Sequence, residues 1–518
     1  MLTLTQILEA LEAATPHALP VTRAAVHGVS TDTRSLHKGD LFVALKGESF
    51  DGHDFVRMAI KAGAIAAVVS DDWYYRQSHP RMPVIVVRST LEAYGVIART
   101  WRRQFKIPVV CVAGSNGKTA TKEMTALVLA EKYNVLKTPE NDNNQIGVPK
   151  TLLQLTKKHT AVVLEIGSNH AGEIASLCRI AEPTHGLITT IGRDHLQYLR
   201  TIEGVAGENG DLFGWLSTHD GKAFVNADDK YIRTQAALRG LNAMVEYGFA
   251  ARTAAIKGKR LGIGQRGEPK FSFSIGGKRA HMVTLQAIGE HSMDNALAAA
   301  SVGAQLGVPS AKIASALESY VPDTAHDYAR LRVERAELDG GRGRVITILN
   351  DTYNANPDSM YAALETLFEI KTNGRRIAVL GDMLELGEGS RSEHEFLGTW
   401  LLQSDIDEVF LVGEEMFYAY EAVKSNRELA LPRSLSGKSQ KGSSVRKRLK
   451  SQDVATSSFA LTEKSRLIDV LFTTLHNDDV VLVKGSRGMK MEDIVVGLHR
   501  HDPSRPKAGV VSKSKKKK

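Results

Sequence analysis

Residues 107–119 read Ile-Pro-Val-Val-Cys-Val-Ala-Gly-Ser-Asn-Gly-Lys-Thr, a short apolar run that leads into a glycine loop. A helical pattern follows over residues 120–132. A buried strand, a glycine loop and a helix in this order are typical of a phosphate-binding loop, because glycines let backbone N–H groups approach phosphate oxygens. Val112 stands where the full Walker spacing has glycine, so this is a shortened variant, and a tight turn without nucleotide is the alternative.

The loop motif predicts separate roles for two of its side chains. We expect Lys118 to reach the terminal phosphates and the Thr119 hydroxyl to ligate Mg²⁺. The predicted nucleotide contacts here are Gly114, Ser115, Asn116, Gly117, Lys118, Thr119 and Ala120.

The composition favours a multidomain globular protein. A chain of 518 residues with 42% apolar and 24% charged residues suggests about two to four domains. No apolar run is long enough to span a bilayer, and the N-terminus lacks a basic leader. The two cysteines, Cys111 and Cys178, are interpreted as core thiols of a reducing compartment, so a cytoplasmic location is expected.

The net charge of +9 is concentrated in two short segments. Residues 424–450 carry nine Lys/Arg and one Glu, and residues 500–518 carry eight Lys/Arg and one Asp, which leaves the rest of the chain at about −6. Both segments are of low complexity, and we predict that they are disordered. A specific nucleic-acid partner is therefore not expected.

Strand and helix patterns predict an α/β protein of three domains. We place a small N-terminal α/β domain at residues 1–105, a central parallel-sheet ATP-binding domain at 106–322 and a C-terminal Rossmann-like domain at 323–500. A flexible basic insertion is predicted at about 425–455 and a basic tail at 501–518. The predicted strands lie at 40–45, 64–69, 84–87, 107–113, 160–166, 184–191, 344–349, 376–380, 408–412 and 480–483, with a hairpin at 271–277.

Two side chains follow central strands in the way that ligands do. Glu165 ends an apolar run, and an acidic group there is costly unless it binds a cation or a partner. His195 follows the run at 187–192. Because ligands of open parallel sheets sit at the carboxyl ends of strands, both are candidate metal ligands. A helix-capping carboxylate and a packed core histidine are the alternatives.

These and further motifs resemble the Mur ligase family over about residues 25–500. The central motifs are the glycine loop and residues 143–149, 165–169, 194–196 and 294–299. The matching segments elsewhere are residues 30–34, 39–45, 51–55, 350–360, 380–387 and 483–487.

The resemblance implies an ATP-dependent amide ligase of peptidoglycan synthesis with ATP and Mg²⁺ as cofactors. Such an enzyme phosphorylates the terminal carboxylate of a UDP-N-acetylmuramoyl-tripeptide, and the amine of D-alanyl-D-alanine attacks the acyl phosphate. These two molecules are the expected partners, and a monomer is expected.

Matched positions imply roles for individual residues. Lys118, His195 and Lys484 would be catalytic, and Thr119, Glu165 and His195 would hold metal. Further nucleotide contacts would be Asn295, Arg330 and Asp351. Substrate contacts would be Ser30, Thr31, Arg34, Asn143, Asn144, Tyr353, Asn354, Asn356 and Arg487.

One position departs from the family pattern. The family carries a lysine that CO₂ converts to a carbamate, an anion that helps to hold a second metal, and here that position is Asn209. Residues 203–221 contain no lysine, so Glu208, Asp211 or substrate phosphate would have to supply the charge. Three hypotheses stay open: an active ligase with an altered second-metal site, a catalytically weak homologue that binds nucleotide or UDP-sugar as a partner protein, and a sister or folylpolyglutamate-type ligase with another amine substrate.

Overall fold

The structure is a computed structural model and describes residues 2–13, 25–47, 50–77, 81–264, 267–322, 329–338, 343–425 and 454–500. The predicted basic tail and nearly all of the predicted insertion lie outside these residues. Three sheets organise the described chain, which confirms the predicted α/β class.

A four-stranded parallel sheet, in the order β1-β2-β3-β4, forms the first unit. The predicted strands at 40–45, 64–69 and 84–87 are confirmed as β2, β3 and β4. The elements are α1 (Leu4–Leu11), β1 (Val29–Ser30), β2 (Leu41–Val43), α2 (Val56–Lys61), β3 (Ala66–Ser70), α3 (Asp71–Arg76), β4 (Val84–Val87) and α4 (Thr90–Arg102).

A nine-stranded sheet forms the second unit. Its elements are β5 (Val109–Ala113), α5 (Lys118–Ala130), β6 (Val135–Lys137), α6 (Gly147–Leu152), β7 (Ala161–Glu165), α7 (Glu173–Ala181), β8 (His185–Ile188), α8 (Leu196–Leu199), α9 (Ile202–Thr218), β9 (Lys222–Asn226), α10 (Lys230–Leu238), β10 (Met244–Gly248), β11 (Ile256–Ile263), β12 (Pro269–Ile275), β13 (His281–Thr284), α11 (His291–Gln305) and α12 (Ser310–Glu318).

The strand order of this second sheet is β13-β12-β11-β10-β9-β8-β5-β7-β6. Strands β5 to β11 pair in parallel, and the pairs β11–β12 and β12–β13 are antiparallel, which confirms the predicted hairpin. Val109, Cys111 and Ala113 of β5 face one apolar core, and Val110 and Val112 face another. Since both faces of the strand are covered, its sequence is continuously apolar.

A six-stranded sheet forms the third unit, in the order β14-β15-β19-β16-β17-β18, with only β14 antiparallel to its neighbour. The predicted strands here are confirmed as β15, β16, β17 and β19. The elements are β14 (Arg332–Leu338), β15 (Arg344–Asp351), α13 (Pro357–Glu369), β16 (Arg376–Gly381), α14 (Ser390–Leu402), β17 (Glu408–Val412), α15 (Met416–Lys424), β18 (Ala455–Phe459), α16 (Lys464–Thr474), β19 (Val480–Lys484) and α17 (Glu492–Arg500).

Candidate active site

The glycine loop connects β5 to α5, as predicted, and its backbone is fixed by the segment after β8. The N–H of Ser115 donates to the carbonyl of Thr190 at 2.9 Å, and the N–H of Asn116 donates to the Thr190 hydroxyl at 3.1 Å. Gly117 has a φ of 81°, a left-handed conformation that favours glycine, and Lys118 begins the helix. The Lys118 ammonium donates to the carbonyls of Gly114 and Ser115 at 2.5 and 3.0 Å.

Two buried oxygen atoms beside this loop have the chemistry of cation ligands. Within the described part of the chain, Thr119 Oγ1 and Glu165 Oε2 are both buried and have no hydrogen-bond partner. Burying a carboxylate oxygen without a partner is costly, and hydroxyl and carboxylate oxygens are ligands that Mg²⁺ accepts. These two residues therefore fit a magnesium ion bound between the loop and the end of β7.

Neighbouring polar groups fix the position of Glu165. Asn143 Nδ2 donates to Glu165 Oε1 at 2.9 Å, and the backbone N–H of Glu165 donates to the Thr138 hydroxyl at 3.0 Å. Asn144, the second predicted substrate contact here, instead accepts the N–H groups of Ile146 and Gly147 at the start of α6. The structure thus places Asn143 against the candidate metal ligand and Asn144 at a helix end.

Asn295 lies on α11, directly behind the glycine loop. Its Oδ1 accepts a hydrogen bond from the Thr121 hydroxyl at 3.2 Å and lies where a side chain at residue 117 would have to go. The loop therefore requires glycine there for a second reason besides its φ. That Asn295 contacts adenine stays a prediction.

His195 lies at the junction of the second and third units. Its Nδ1 is 2.6 Å from Glu385 Oε2, and its Nε2 is 3.6 Å from Asp194 Oδ2. Burial alone lowers the pKa of His195, but the hydrogen bond with Glu385 and the two negative charges outweigh it and raise the pKa above its ordinary value. Among the described residues, no group of three or more His, Cys, Asp and Glu side chains is arranged to hold a metal ion.

Lys484 forms a buried ion pair at the end of β19. Its ammonium donates to Asp351 Oδ2 at 2.6 Å and to the carbonyl of Asn354 at 2.8 Å, and the side chain is 1% exposed. Because β15 and β19 are adjacent, Asp351 and Lys484 are register partners. Nearby, the Arg330 guanidinium stacks 3.7 Å from the centre of the Tyr353 ring.

Asn356 joins the third unit to the glycine loop. Its amide pairs reciprocally with that of Asn116, with N–O distances of 3.1 and 3.3 Å, and its Oδ1 also caps α13 by accepting the N–H of Ser359. A small cavity of about 60 Å³ opens alongside. It is lined by Asp194, Asn354, Ala355, Leu384, Glu385, Ser486, Arg487 and Gly488.

The predicted substrate residues of the first unit lie in the turn after β1. The Ser30 hydroxyl donates to the carbonyl of Asp32, and Thr31 is half-buried beside it. The exposed Arg34 guanidinium makes three hydrogen bonds to Asp32, which lower the pKa of that carboxyl to about 2. Their role in binding substrate stays a prediction.

The two carboxylates next to Asn209, Glu208 and Asp211, are not free to replace the missing carbamate as metal ligands. Asn209 is buried on α9 and donates to the carbonyl of Val205 at 2.9 Å. Glu208 accepts the N–H groups of Gly172 and Ile174 at 2.7 and 2.8 Å, at the start of α7, and Asp211 pairs with Arg239 at 2.7 Å. Both carboxylates are therefore engaged in the fold, and the residues present do not fit a carbamate-held second metal.

Arg193 and its partners are the interactions that the sequence patterns missed. Arg193 precedes the Asp194-His195 motif and contacts Asp358 and Glu393 of the third unit. Its position beside His195 was the available signal, but its partners lie 165 and 200 residues away in the sequence.

Known protein families match all three units of the chain. Three family models match the chain in order: the Mur ligase family catalytic domain at residues 25–102, the Mur ligase middle domain at 112–303 and the Mur ligase glutamate ligase domain at 332–487. The chain belongs to the Mur ligase family, and the resemblance drawn from its motifs is confirmed.

Individual relatives place it more narrowly within that family. The chain is 33% identical over 480 residues to the UDP-N-acetylmuramoyl-tripeptide–D-alanyl-D-alanine ligase of Bacillus subtilis, covering 92% of this chain and 94% of the relative. A crystal structure of MurF from Acinetobacter baumannii superposes with a TM-score of 0.77 at 27% identity, over 96% of this chain and 98% of the other. MurF from Thermotoga maritima in complex with ADP gives a TM-score of 0.72 at 26% identity, over 92% and 98%.

Proposed function

We propose that this protein is an ATP-dependent ligase that adds D-alanyl-D-alanine to UDP-N-acetylmuramoyl-tripeptide in peptidoglycan precursor synthesis. The relatives that it matches over nine tenths of its length carry this activity in their names. The observation that carries the proposal is the contact between Asn116 of the glycine loop and Asn356 of the third unit. This contact sets the third unit against the glycine loop, where the nucleotide phosphates would bind and an activated carboxylate and an amine would meet.

The reaction has two steps that balance without any oxidant or reductant. In the first, an oxygen of the tripeptide's terminal carboxylate forms a bond to the γ-phosphorus of ATP, and ADP leaves. In the second, the amine of D-alanyl-D-alanine forms a bond to the acyl carbon, inorganic phosphate leaves and the amine loses a proton. Phosphorylation is needed because a carboxylate oxygen is otherwise a poor leaving group.

The glycine loop and its neighbours would hold the nucleotide. Backbone N–H groups of residues 114–119 and the start of α5 would bind the phosphates, and the Lys118 ammonium would neutralise their charge. Thr119 and Glu165 would hold Mg²⁺, which offsets the charge that gathers on the transferred phosphoryl group. Asn295, Arg330 and Asp351 would contact the rest of the nucleotide.

The third unit would bring the reacting groups together. Asn354 and Arg487 line the small cavity, and Tyr353 and Asn356 flank its lining residues Asn354 and Ala355 in the chain. We assign the amine substrate to this region. Lys484, held by Asp351, would place a positive charge near the acyl phosphate. His195, fixed by Glu385, would face the same space from the second unit. Ser30, Thr31 and Arg34 would contact the uridine diphosphate.

A coupled assay of phosphate release tests the proposal. We expect release that requires ATP, UDP-tripeptide and D-alanyl-D-alanine together, and that is much weaker with single amino acids or glutamate as the amine. A preference for another amine would instead indicate a sister or folylpolyglutamate-type ligase. ATP binding without substrate-dependent release would contradict the ligase proposal and favour a weak homologue that acts as a binding partner.

We also assign the domains and setting as proposals. The boundaries are placed at 105/106 and 322/323, which separate the three sheets. Among the described residues, no helix is long and apolar enough to cross a membrane. Both cysteines are free and buried, which supports a reducing, cytoplasmic setting. That the protein is a monomer stays a prediction.

A further inference from the structure

Arg193 links the second unit to the third through two carboxylates at once. One guanidinium nitrogen is 2.9 Å from Asp358 Oδ1, and the other lies 3.1 and 2.8 Å from the two oxygens of Glu393. The backbone N–H of Arg193 also donates to Asp358 Oδ2 at 2.6 Å. Asp358 is therefore bound by both the backbone and the side chain of the same residue.

The ion pair between Arg193 and Glu393 is largely shielded from water. The side chains of Arg193 and Glu393 are 13% and 12% exposed, whereas that of Asp358 is 36% exposed, and the guanidinium lies 5.9 Å from the centre of the Tyr361 ring. Burial raises the pKa of Glu393, and the charge of Arg193 opposes this effect. Gly192 leaves room for the contact, because a Cβ there would lie 2.5 Å from Asp358 Oδ2. When one partner of an ion pair is removed, the loss of interaction free energy is much larger for a pair shielded from water than for an exposed pair.

The contact acts on the helix that faces the glycine loop. Asp358 belongs to the first turn of α13, and Asn356, which caps that helix, pairs with Asn116 of the loop. Arg193 lies two residues before His195, whose partner Glu385 is also in the third unit. One short segment of the second unit thus holds both α13 and the loop after β16.

We propose that Arg193 is a positioning residue that holds the third unit against the glycine loop and sets the fraction of molecules in which both halves of the site face each other. The inference rests on the proposed function for its kinetic consequence but not for its structural one. Arg193 acts through the position of α13 and not through contact with substrate.

Fluorescence energy transfer between the two units measures this fraction directly. Dyes are placed on Met282→Cys and Lys424→Cys in the full chain, since both positions are exposed while Cys111 and Cys178 are buried. With a non-hydrolysable ATP analogue, Arg193→Met should raise the ratio of separated to closed molecules on the order of tenfold.

Two further variants separate positioning from general stability. Arg239→Met removes an arginine–carboxylate pair inside the second unit and should leave energy transfer unchanged. The double variant Arg193→Met/Glu393→Gln removes the unpaired buried charge, so its melting temperature should recover while the separation persists. Unchanged energy transfer in Arg193→Met, or an equal change in Arg239→Met, would overturn the inference.

Kinetics supply the second readout. Arg193→Met should lower kcat on the order of tenfold while the Kd for UDP-tripeptide stays within about twofold, because the first unit keeps its contacts. Arg193→Lys should restore part of the rate, since an ammonium can reach one carboxylate but not both. A protein without ligase activity would refute the proposed function, yet the energy-transfer comparison would still decide the role of Arg193.

Discussion

Replacing Glu165 by glutamine tests the magnesium site through two effects of opposite sign. Glu165 is almost fully buried; Asn143 binds one of its oxygens, and the other has no partner in the described chain. In Glu165→Gln, the charge disappears and the shape is kept. An unsatisfied buried amide costs about 1–3 kcal/mol, less than an unsatisfied buried carboxylate. We therefore expect the protein without ligand to gain on the order of 1 kcal/mol, or about 2–4 °C in melting temperature for a unit of this size.

In contrast, Mg²⁺ and nucleotide should stabilise Glu165→Gln less than they stabilise the native protein. At a ligand concentration 100 times Kd, the native protein gains about 2.7 kcal/mol. Even the loss of an outer-shell partner weakens a metal site about 10–100-fold. A hundredfold loss reduces the gain at the same concentration to about 0.4 kcal/mol. The assay is a thermal shift with and without Mg²⁺ and a non-hydrolysable ATP analogue.

Glu208→Gln is the matched control. Glu208 is also buried, but both of its oxygens accept backbone N–H groups at the start of α7. Its variant should lose about 1–2 kcal/mol of stability and keep the full shift with Mg²⁺ and nucleotide. A Glu165→Gln protein that is destabilised without ligand, yet keeps the native ligand-induced shift, would contradict a magnesium site at Glu165.

Three other predictions concern the rest of the molecule. Lys484→Met should cost about 3–5 kcal/mol, because it removes the cation from the half-buried Asp351 carboxylate and leaves it, within the described chain, only the backbone N–H of Leu331; adding Asp351→Asn should restore much of the stability in urea unfolding but not the activity. Burial and neighbouring carboxylates raise the pKa of Glu369 to about 7, so the folded protein retains a proton that the unfolded chain releases near pH 4.5. The folded protein therefore loses stability as the pH rises through 7. Glu369→Gln should stabilise the protein by about 1 kcal/mol at pH 8 but not at pH 4. Calorimetry at both pH values measures this difference. Stripping CO₂ should leave activity unchanged because Asn209 cannot form a carbamate, and rescue by bicarbonate would contradict that assignment.

The sequence predicted the buried strands better than the edge strands. The apolar runs of β5, β7, β16 and β19 face cores on both sides, so hydrophobicity alone marks them. Strands such as β14, with the sequence Arg-Val-Glu-Arg-Ala-Glu-Leu, and β18, Ala-Thr-Ser-Ser-Phe, lie at sheet edges and carry polar side chains. Their pairing depends on neighbours that are distant in the chain, which no local pattern reports.

Local motifs likewise indicated the groups of the site but not their partners. Thr119 and Glu165 were predictable because a glycine loop and a strand end converge at one edge of a parallel sheet. The hydrogen bond from Asn143 to Glu165, and the capping role of Asn144, required the folded loop between β6 and α6. The contacts of Arg193 required the packing of two units, which the sequence of either unit alone does not contain.

Isotope transfer tests the acyl-phosphate mechanism, because only carboxylate activation moves an oxygen atom from substrate to phosphate. UDP-tripeptide with both oxygens of its terminal carboxylate labelled by ¹⁸O is turned over with ATP and D-alanyl-D-alanine, and the released phosphate is analysed by mass spectrometry. An acyl-phosphate intermediate predicts one ¹⁸O in each phosphate and one in each new amide. Phosphate that forms together with the amide product but carries no ¹⁸O would contradict an acyl phosphate, and with it the mechanism proposed for this site.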